Sequence, residues 1–565
     1  MNRRFGLALV ALLALAAGMV VGAQGHGDSA QAATTAPKPN IVVIETDDQT
    51  LAEMEVLPSV KRLIGDQGVT FDNNFDSFSL CCPSRATFLT GQYPHNNGVR
   101  GNALPEGGYE KLNSANTLPV WLQRAGYYTV HLGKYLNGYG RRNPLEIPAG
   151  WSEWRGSVDP STYRFYGYTL NENGVLTTYC AIPEPSCYQT DVYRDKANEI
   201  IRRRAPQGPF FMWVAFLANH SGGPREPGDP PNQATPDPAP RHADKLEGTP
   251  LPQPPNFNEA DVSDKPLVIR RRPLINARQR AAIEENWQQR RETLMAVDEA
   301  VASIIETLRS TGELDNTLVI FTTDNGFFHG EHRIRNGKVQ HYEPSIHLPL
   351  LMRWTGNRSL PRGVHARQLV SNVDDAATIV AAAGATPGLV LDGTSLLALW
   401  RDNRKELGSD LLVDNMPGVT HFDAIRSRNL KYVEHQNGDR ELYDLARDPF
   451  ELESQHLNPA YEAIKASLAA RLRNLASCAG TSCRAAPAVR FAAARNGRCG
   501  NVRATLSGPG IQIAAFTVDG LPKAKDGRAP FRVNLRFRQR AVVRVRVTLA
   551  FDRVVTLDRV VRACR

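Results

Sequence analysis

Four polar residues that could bind a metal ion follow two short apolar runs, at residues 41–44 and 318–321. They are Asp47, Asp48, Asp324 and Asn325. Three carboxylates and one amide carbonyl are hard oxygen ligands, which suit Ca²⁺, and Mg²⁺ less well when few waters remain bound. A single Asp-Asp pair after a strand is more often a helix cap or a turn. Two polar pairs in equivalent positions predict one divalent-cation site.

The adjacent cysteines Cys81 and Cys82 open the segment Cys-Cys-Pro-Ser-Arg-Ala-Thr-Phe-Leu-Thr-Gly, residues 81–91. The pair could be structural, although a disulfide between adjacent residues is strained. Alternatively, Cys81 could be an ordinary thiolate nucleophile beside the cationic Arg85. The residues alone leave these interpretations open.

Residues 81–91 resemble the signature of the type I sulfatase family, Cys-x-Pro-Ser-Arg-x-x-x-Leu-Thr-Gly, and every fixed position matches. The resemblance implies an alkaline-phosphatase-like fold. It also implies that a formylglycine-generating enzyme oxidises Cys81 to formylglycine (3-oxoalanine), with Cys82 in the variable position. One hydroxyl of the hydrated aldehyde would attack sulfur, and the other would later expel sulfate.

The resemblance assigns the metal ligands as well. It maps Asp47, Asp48, Asp324 and Asn325 onto the family's ligands for one calcium ion. An oxygen of the modified Cys81 and the substrate sulfate would complete the coordination shell. No Cys/His cluster in the sequence suggests zinc instead.

Sulfate ester hydrolysis needs fixed positive charges and a proton donor, because negative charge develops on the leaving alkoxide. Arg85 resembles the family arginine that holds the nucleophile and the metal. Lys134 and Lys338 resemble the lysines that contact the sulfate and the leaving oxygen. His220, which follows the apolar run 210–217, resembles the histidine that helps protonate the leaving group.

The chain departs from the commonest family pattern at residues 133–137. Many sulfatases have Gly-Lys-x-His, whereas this chain has Gly-Lys-Tyr-Leu-Asn, so Asn137 is expected to substitute partly for the histidine. With the Cys-Cys pair and Gln-Tyr-Pro-His-Asn at 92–96, this form resembles the N-acetylglucosamine-6-sulfatase branch. The resemblance covers residues 38–476 and implies a sulfated carbohydrate or small sulfate ester as substrate.

Three alternative functions differ in class. One is an arylsulfatase of broad specificity, and another is a phosphate or phosphonate ester hydrolase of the same superfamily. The third is a non-catalytic protein that binds sulfated glycans through an inactive form of the site. That protein would have lost its nucleophile or its metal ligands, and both sets are intact in the sequence.

The elements that position these residues follow from hydrophobic patterning. Continuous apolar runs at 41–44, 127–132, 210–217 and 318–321 predict strands covered on both faces, with helical patterns between them such as 276–309. This alternation predicts an α/β fold with a large mixed, mainly parallel sheet flanked by helices. Ligands of such sheets bind beyond the carboxyl ends of the strands, where the polar residues lie.

Composition divides the chain further. A catalytic domain is predicted at 38–400, a smaller antiparallel C-terminal subdomain at 401–476, a linker at 477–488 and a basic β-sandwich-like domain at 489–565. Between residues 485 and 565 there are 17 Lys and Arg against 4 Asp. This charge could bind an anionic polysaccharide, and the simpler interpretation is a soluble spacer.

Export is expected. Arg3 and Arg4 precede an apolar run that ends in small residues, which predicts a signal peptide at 1–23 and no membrane span after cleavage. Disulfides also suit an oxidising compartment, and the close spacings 180/187 and 478/483, with 499/564 around the tail, offer pairs whose connectivity the sequence leaves open. We expect a secreted, periplasmic or cell-surface protein, bacterial by composition, with no nucleic-acid partner.

Overall fold

The computed structural model describes residues 38–563 except 181, 224, 227, 406, 408–409, 419, 485–489, 496–499, 508–510, 529 and 550–553. The predicted signal peptide, Cys499 and Cys564 lie outside the described residues.

The strands of the described part, in chain order, are β1 (Asn40–Thr46), β2 (Val69–Phe71), β3 (Asn74–Phe75), β4 (Tyr128–Gly133), β5 (Glu153–Ser157), β6 (Tyr168–Glu172), β7 (Val175–Tyr179), β8 (Phe210–Ala215), β9 (Thr317–Thr323), β10 (His347–Leu348), β11 (Leu350–Arg353), β12 (Val364–Ala366), β13 (Val370–Ser371), β14 (Asp410–Asp414), β15 (Phe422–Ser427), β16 (Leu430–His435), β17 (Arg440–Asp444), β18 (Arg490–Arg495), β19 (Asn501–Ser507), β20 (Ile511–Val518), β21 (Leu521–Asp526), β22 (Arg532–Arg536), β23 (Ala541–Leu549) and β24 (Val554–Val561).

The α-helices of the same part are α1 (Pro58–Val60), α2 (Cys81–Thr90), α3 (Pro94–Asn97), α4 (Leu118–Arg124), α5 (Gln189–Arg204), α6 (Leu267–Arg270), α7 (Ala277–Ser310), α8 (Glu343–Ile346), α9 (Val373–Ala383), α10 (Leu397–Arg401) and α11 (Glu462–Leu475). The long helix α7 begins with a capping box between Asn276 and Gln279.

The largest sheet has the strand order β12-β2-β11-β9-β1-β8-β4-β5-β6-β7. The four apolar runs of the sequence form its neighbouring strands β9, β1, β8 and β4, which are parallel to one another. Antiparallel strands β11 and β6–β7 extend the sheet on either side. The predicted mixed α/β sheet is confirmed, and the carboxyl ends of its central strands lie at one edge.

Both faces of this sheet are buried. In β1, Ile41 and Val43 pack into one apolar core, whereas Val42 and Ile44 pack into a second core on the opposite face. Helices α4 and α9 contribute to the first core, and α5 and α7 contribute to the second. Full burial of each such side chain contributes about 1.5–3 kcal/mol, which explains the apolar run without alternation.

A second sheet has the order β14-β15-β16-β17, and all of its strands are antiparallel. It contains the hairpin β15–β16 and lies within the antiparallel subdomain predicted at 401–476. Helix α11 packs on this sheet through Leu468, Leu472 and Leu475, which share a core with Ile425. The antiparallel C-terminal region of the fold is thereby confirmed.

The tail forms two antiparallel sheets, β18-β19-β22 and β21-β20-β23-β24. They enclose a separate apolar core that includes Val543, Val545 and Val547. Arg544 and Arg546 alternate with these valines and are exposed. The β-rich tail is as expected, while the domain boundaries given above remain predictions.

Two of the anticipated disulfides are present, Cys180–Cys187 and Cys478–Cys483. Across the described residues we find no helix with the length and apolar character that crossing a bilayer requires.

Candidate active site

The register of β1 and β9 brings the two polar pairs together, because Thr46 lies opposite Thr323 at the ends of these parallel strands. The backbone N–H of Asp48 donates to Asp324 Oδ1 at 3.0 Å, and Asn325 Nδ2 donates to Asp48 Oδ1 at 2.6 Å. Asp48 has φ 69°, a left-handed conformation that is uncommon outside glycine and that concentrates at functional sites.

Cys81 is the first residue of α2, after the extended Leu80. Its thiol is 1% exposed, and Sγ lies 3.9 Å from Asp47 Oδ1 and 3.0 Å from Lys338 Nζ. Helix α2 ends at Gly91, whose φ of 63° provides the left-handed C-cap that glycine favours. The helix therefore holds residue 81 at its positive N-terminal end, beside the acidic strand ends.

The thiol of Cys81 is poorly suited to act as a nucleophile itself. Burial raises its pKa to about 12, although Lys134 and Lys338 oppose this shift. The thiolate is therefore scarce near neutral pH, which disfavours the thiolate interpretation of the sequence. Cys81 and Cys82 are both free, so they form no disulfide with each other.

Arg85 connects α2 to both strand ends. Its guanidinium donates from Nε to Asp324 Oδ2 at 2.8 Å and from Nη2 to Asp47 Oδ2 at 3.2 Å, and Nη1 lies 3.0 Å from Glu45 Oε2. The side chain is fully buried. Burial opposes its charge, but the surrounding carboxylates raise the pKa of Arg85 well above its ordinary value. A permanently charged fork thus fixes the acidic groups relative to residue 81.

Glu45 is a site residue that the sequence analysis missed. It lies in β1, is buried, and accepts a hydrogen bond from Trp213 Nε1 at 3.2 Å besides its ion pair with Arg85. Burial raises the pKa of Glu45 to about 8. The available signal was a carboxylate inside an otherwise apolar strand, because such a group requires a buried partner.

Lys134 and Lys338 each pair with one carboxylate of the adjacent residues Asp47 and Asp48. Lys134 follows β4 and forms an ion pair with Asp47, and Lys338 forms one with Asp48. Burial opposes both positive charges, yet these carboxylates raise the pKa of each lysine above its ordinary value. Both lysines therefore stay cationic in a buried pocket beside residue 81.

His220 lies at the same edge, with Nε2 3.7 Å from Asp48 Oδ2. Its Nδ1 is 2.6 Å from the carbonyl oxygen of Ser221, which can only accept, so Nδ1 carries a proton. Burial lowers the pKa of His220. The ring is oriented with Nε2 toward the site, as expected for a group that exchanges a proton with a substrate.

Asn137, which is expected to substitute partly for the missing histidine, contacts Tyr163. Its Nδ2 donates to the hydroxyl of Tyr163 at 2.6 Å. The Tyr163 ring in turn lies 4.9 Å from Lys134 Nζ and 5.1 Å, between centroids, from the His220 ring. Asn137 thus reaches these two residues through Tyr163, and a catalytic substitution by Asn137 remains a prediction.

Arg290 of α7 binds backbone and side-chain oxygens next to the site, and the sequence did not predict it. Its guanidinium donates to the carbonyl oxygens of Asp48 and Asn219, the latter at 2.9 Å, and to Glu53 Oε1 at 3.0 Å. Arg290 lies on the buried face of the amphipathic helix α7. That position does not by itself indicate from the sequence that Arg290 contacts the active site. Arg290 holds the two chain segments that carry Asp48 and His220.

The donor set fits a hard divalent cation. Ligand atoms of Asp47, Asp48, Cys81 and His220 lie within 4.8 Å of one another. Asn325 Oδ1 is buried without a hydrogen-bond donor, although such an acceptor costs about 1–3 kcal/mol when left unsatisfied. Both oxygens of Asp324 face donors, namely Arg85 Nε and the Asp48 N–H. The structure thus collects the predicted oxygen ligands in one place, with His220 added to the cluster.

Comparison with known proteins agrees with this geometry. Residues 39–385 match the family model described as Sulfatase. Residues 330–477 match a second model, described as N-sulphoglucosamine sulphohydrolase, C-terminal. The two matches together span the large sheet, the site and the antiparallel C-terminal region.

Individual relatives give the same result. An arylsulfatase of Volvox carteri is 33% identical, over 80% of this chain and 76% of that protein. The N-acetylglucosamine-6-sulfatase of Homo sapiens is 31% identical, over 79% of this chain and 86% of that protein. A protein solved in complex with its substrate D-glucosamine-2-N,6-O-disulfate has a TM-score of 0.64 and 24% identity, over 77% of this chain and 97% of that chain.

Proposed function

The chain belongs to the sulfatase family and is a sulfuric ester hydrolase, and we propose that it cleaves sulfate from a sulfated carbohydrate, using formylglycine at residue 81 and one bound calcium ion. The observation that carries the proposal is the convergence at one sheet edge of Asp47, Asp48, Asp324 and Asn325 with the N-terminus of the helix that begins at Cys81.

Residue 81 is an unmodified cysteine in this structure, and its thiol stands in for the formylglycine side chain. When present, formylglycine supplies an oxygen nucleophile together with an internal route for releasing the sulfate. When bound, calcium supplies positive charge that polarises oxygens at the site. Asp47, Asp48, Asp324 and Asn325 would hold the ion, with residue 81 beside it.

The chain's own cations suit the sulfate group. Lys338 Nζ lies 3.0 Å from Cys81 Sγ, and Lys134 is paired with Asp47, which lies beside that thiol. Their ammonium groups can bind the sulfate oxygens while the S–O bond breaks. Arg85 forms ion pairs with Glu45, Asp47 and Asp324. These contacts occupy its guanidinium group, so its role is to hold the carboxylates in place and not to bind the substrate. When its ring is protonated on both nitrogens, His220 would give the Nε2 proton to the leaving oxygen, whose negative charge develops as the alcohol departs.

The carbohydrate class rests on the relatives and on local sequence. The human relative is named as an N-acetylglucosamine-6-sulfatase, and the Lys-Tyr-Leu-Asn form at 134–137 agrees with that branch. An N-acetylglucosamine-6-sulfate-like sugar is therefore the proposed substrate. Secretion or a cell-surface location is proposed from the signal pattern and the two disulfides.

A substrate comparison tests the reaction. The purified enzyme is assayed on the sulfate and the phosphate ester of one phenol, and on N-acetylglucosamine 6-sulfate. We expect higher kcat/KM on the sulfate ester than on the phosphate ester, and release of sulfate from the sugar. Higher kcat/KM on the phosphate ester would favour the phosphate or phosphonate hydrolase instead, and activity on aryl sulfate alone would favour the arylsulfatase.

A matched pair of variants tests the role of residue 81. Cys81→Ala should abolish hydrolysis, whereas Cys82→Ala should retain it, because Cys82 is equally buried and free but lies in the apolar core. Equal losses in both variants would contradict the assignment of the nucleophile to position 81.

A further inference from the structure

An arginine-lined cleft lies away from the residues described above. One wall carries Arg367, Arg404 and Arg428, and the other carries Arg544 and Arg546 of β23. Its volume is about 680 Å³. Among the described residues that line it there is no Asp or Glu. The cleft lies between the β-rich tail and two earlier parts of the chain, residues 365–404 and the turn between β15 and β16.

The β23 wall presents its two arginines on one face. Because side chains two residues apart on a strand point the same way, Arg544 and Arg546 stand roughly 6.7 Å apart along the strand. Their cross-strand neighbours within the cleft are small: Ala515 and Thr556 flank Arg546, and Thr517 flanks Arg544. The guanidinium groups therefore project above a flat floor instead of packing among large side chains.

Several of these arginines have a carboxylate partner that is not part of the lining. Arg544 forms a two-bond ion pair with Asp558, Arg404 pairs with Asp402, and Arg367 lies 3.9 Å from Asp72. The tail that carries the β23 wall is strongly basic, with 17 Lys and Arg against 4 Asp between residues 485 and 565. Arg404 is 87% exposed and Arg544 is 55% exposed, so both remain accessible to a ligand in the cleft. A guanidinium has five N–H donors, so an arginine that is paired with one carboxylate can still bind an anionic ligand.

We propose that this cleft binds a linear polysaccharide that carries sulfate or carboxylate groups. Guanidinium forks match the oxygens of both groups with two parallel hydrogen bonds, and several forks along an open cleft suit a chain with repeated anionic groups. The preference for a sulfated chain over another polyanion rests on the proposed function. The cleft would hold the polymer on the enzyme independently of the reacting group.

The test uses the full-length protein and a fluorescent heparin-derived oligosaccharide, with binding followed by anisotropy. The double variant Arg544→Gln/Arg546→Gln removes two forks from one wall, and Arg404→Gln removes one from the other. The matched control is Arg532→Gln/Arg536→Gln, which removes the same charge from exposed positions on β22 of the other sheet.

We expect the dissociation constant to rise about tenfold or more in Arg544→Gln/Arg546→Gln, which corresponds to ~1.4 kcal/mol, and to rise less in Arg404→Gln. The control should remain near the wild-type value at the same salt concentration. Unchanged melting temperatures and circular dichroism in all variants would show that the fold is retained.

Three results would overturn the proposal: no binding by the wild type, equal weakening in the cleft and control variants, or tighter binding of polyphosphate or single-stranded DNA than of the sulfated chain. Hydrolysis of a small aryl sulfate is measured in parallel and should be the same in all of these proteins. The failure of the cleft proposal is thereby distinguishable from failure of the proposed function.

Discussion

At the scale of single residues, the site is a set of buried charges that neutralise one another across long sequence distances. Glu45, Asp47 and Asp324 surround Arg85, while Lys134 and Lys338 face Asp47 and Asp48. Removal of one partner from such a buried set costs about 3–5 kcal/mol, because the other charge is left without compensation. Substitutions within this set will therefore change folding as well as activity.

The family signature was sufficient to predict some of these residues and not others. Asp47, Asp48, Asp324 and Asn325 follow apolar runs, so the carboxyl ends of neighbouring parallel strands predict that they lie together. Glu45 and Arg290 lie inside a strand and a helix, where the sequence pattern is dominated by burial. Their roles depend on the side chains that they contact in the folded protein, Arg85 for Glu45 and Glu53 for Arg290. Hydrophobic periodicity predicts which residues are buried, but it does not predict these contacts.

His220→Ala should separate substrates by leaving group. Loss of the proton donor is expected to lower kcat/KM about 10²–10⁴-fold on a sugar sulfate, whose alkoxide leaves poorly without a proton. The loss should be far smaller on 4-nitrophenyl sulfate, whose phenolate needs little protonation. Rates are compared across a series of sulfate esters, with His456→Ala as the control. An equal loss on all esters would argue against proton donation by His220.

At the scale of elements, continuous apolar runs predicted the central strands because both faces of the sheet are covered. The antiparallel extension β6–β7 was not predicted, since β7 is largely exposed and its sequence, Val-Leu-Thr-Thr-Tyr, has no apolar run. Helix α2 was not predicted either. All ten of its residues are buried, so it lacks the amphipathic pattern by which helices are recognised.

One buried polar cluster ties the second sheet to the chain that precedes it. Glu441 lies in β17, and its Oε1 forms hydrogen bonds with His435 Nε2 at 2.7 Å and with His341 Nε2 at 2.8 Å. Its Oε2 accepts from the hydroxyls of Tyr342 at 2.8 Å and Tyr443 at 2.5 Å. Burial opposes the charge, but the histidines lower the pKa of Glu441 well below its ordinary value. A fully satisfied carboxylate thus stabilises the contact between these elements.

This cluster predicts acid sensitivity. As the pH falls below the ordinary Glu pKa of 4.5, the unfolded chain binds a proton that folded Glu441 does not, so the free energy of unfolding falls. Glu441→Gln should lower that free energy by about 3 kcal/mol at neutral pH and should reduce its dependence on pH below 4.5. Urea unfolding from pH 7 to about pH 2 measures both effects.

The control for this change is Glu434→Gln on the adjacent strand, a half-buried carboxylate that contacts Tyr432 and Arg440. It should cost about 1 kcal/mol or less. If Glu441→Gln were no more destabilising than Glu434→Gln, the stabilising role of the cluster would be wrong.

At the scale of the whole molecule, the antiparallel sheet and the basic β-rich tail could be predicted from alternating patterns and charge. The arginine-lined cleft could not, because its walls come from residues 367–428 and 544–546 and only the folded chain brings them together. The active site is likewise assembled from residues between 45 and 338, but its members at the strand ends could be predicted from the sequence.

Calcium should stabilise the whole protein. A ligand that binds only the folded state adds about 2.7 kcal/mol at a hundred times its dissociation constant. We therefore expect chelation to lower the melting temperature and the activity together, and Ca²⁺ to restore both better than Zn²⁺ does. Asn325→Ala, which removes the orphaned buried oxygen, should shift the Ca²⁺ dependence to higher concentration. A melting temperature indifferent to Ca²⁺ would contradict the ion site.

The most direct test of the central claim is mass spectrometry of the peptide that contains residue 81, taken from enzyme of known specific activity. Conversion of the thiol to the aldehyde lowers the peptide mass by about 18 Da. The account predicts that the fraction of converted peptide and the specific activity rise together across preparations. Fully active enzyme in which residue 81 is an unmodified cysteine would contradict it.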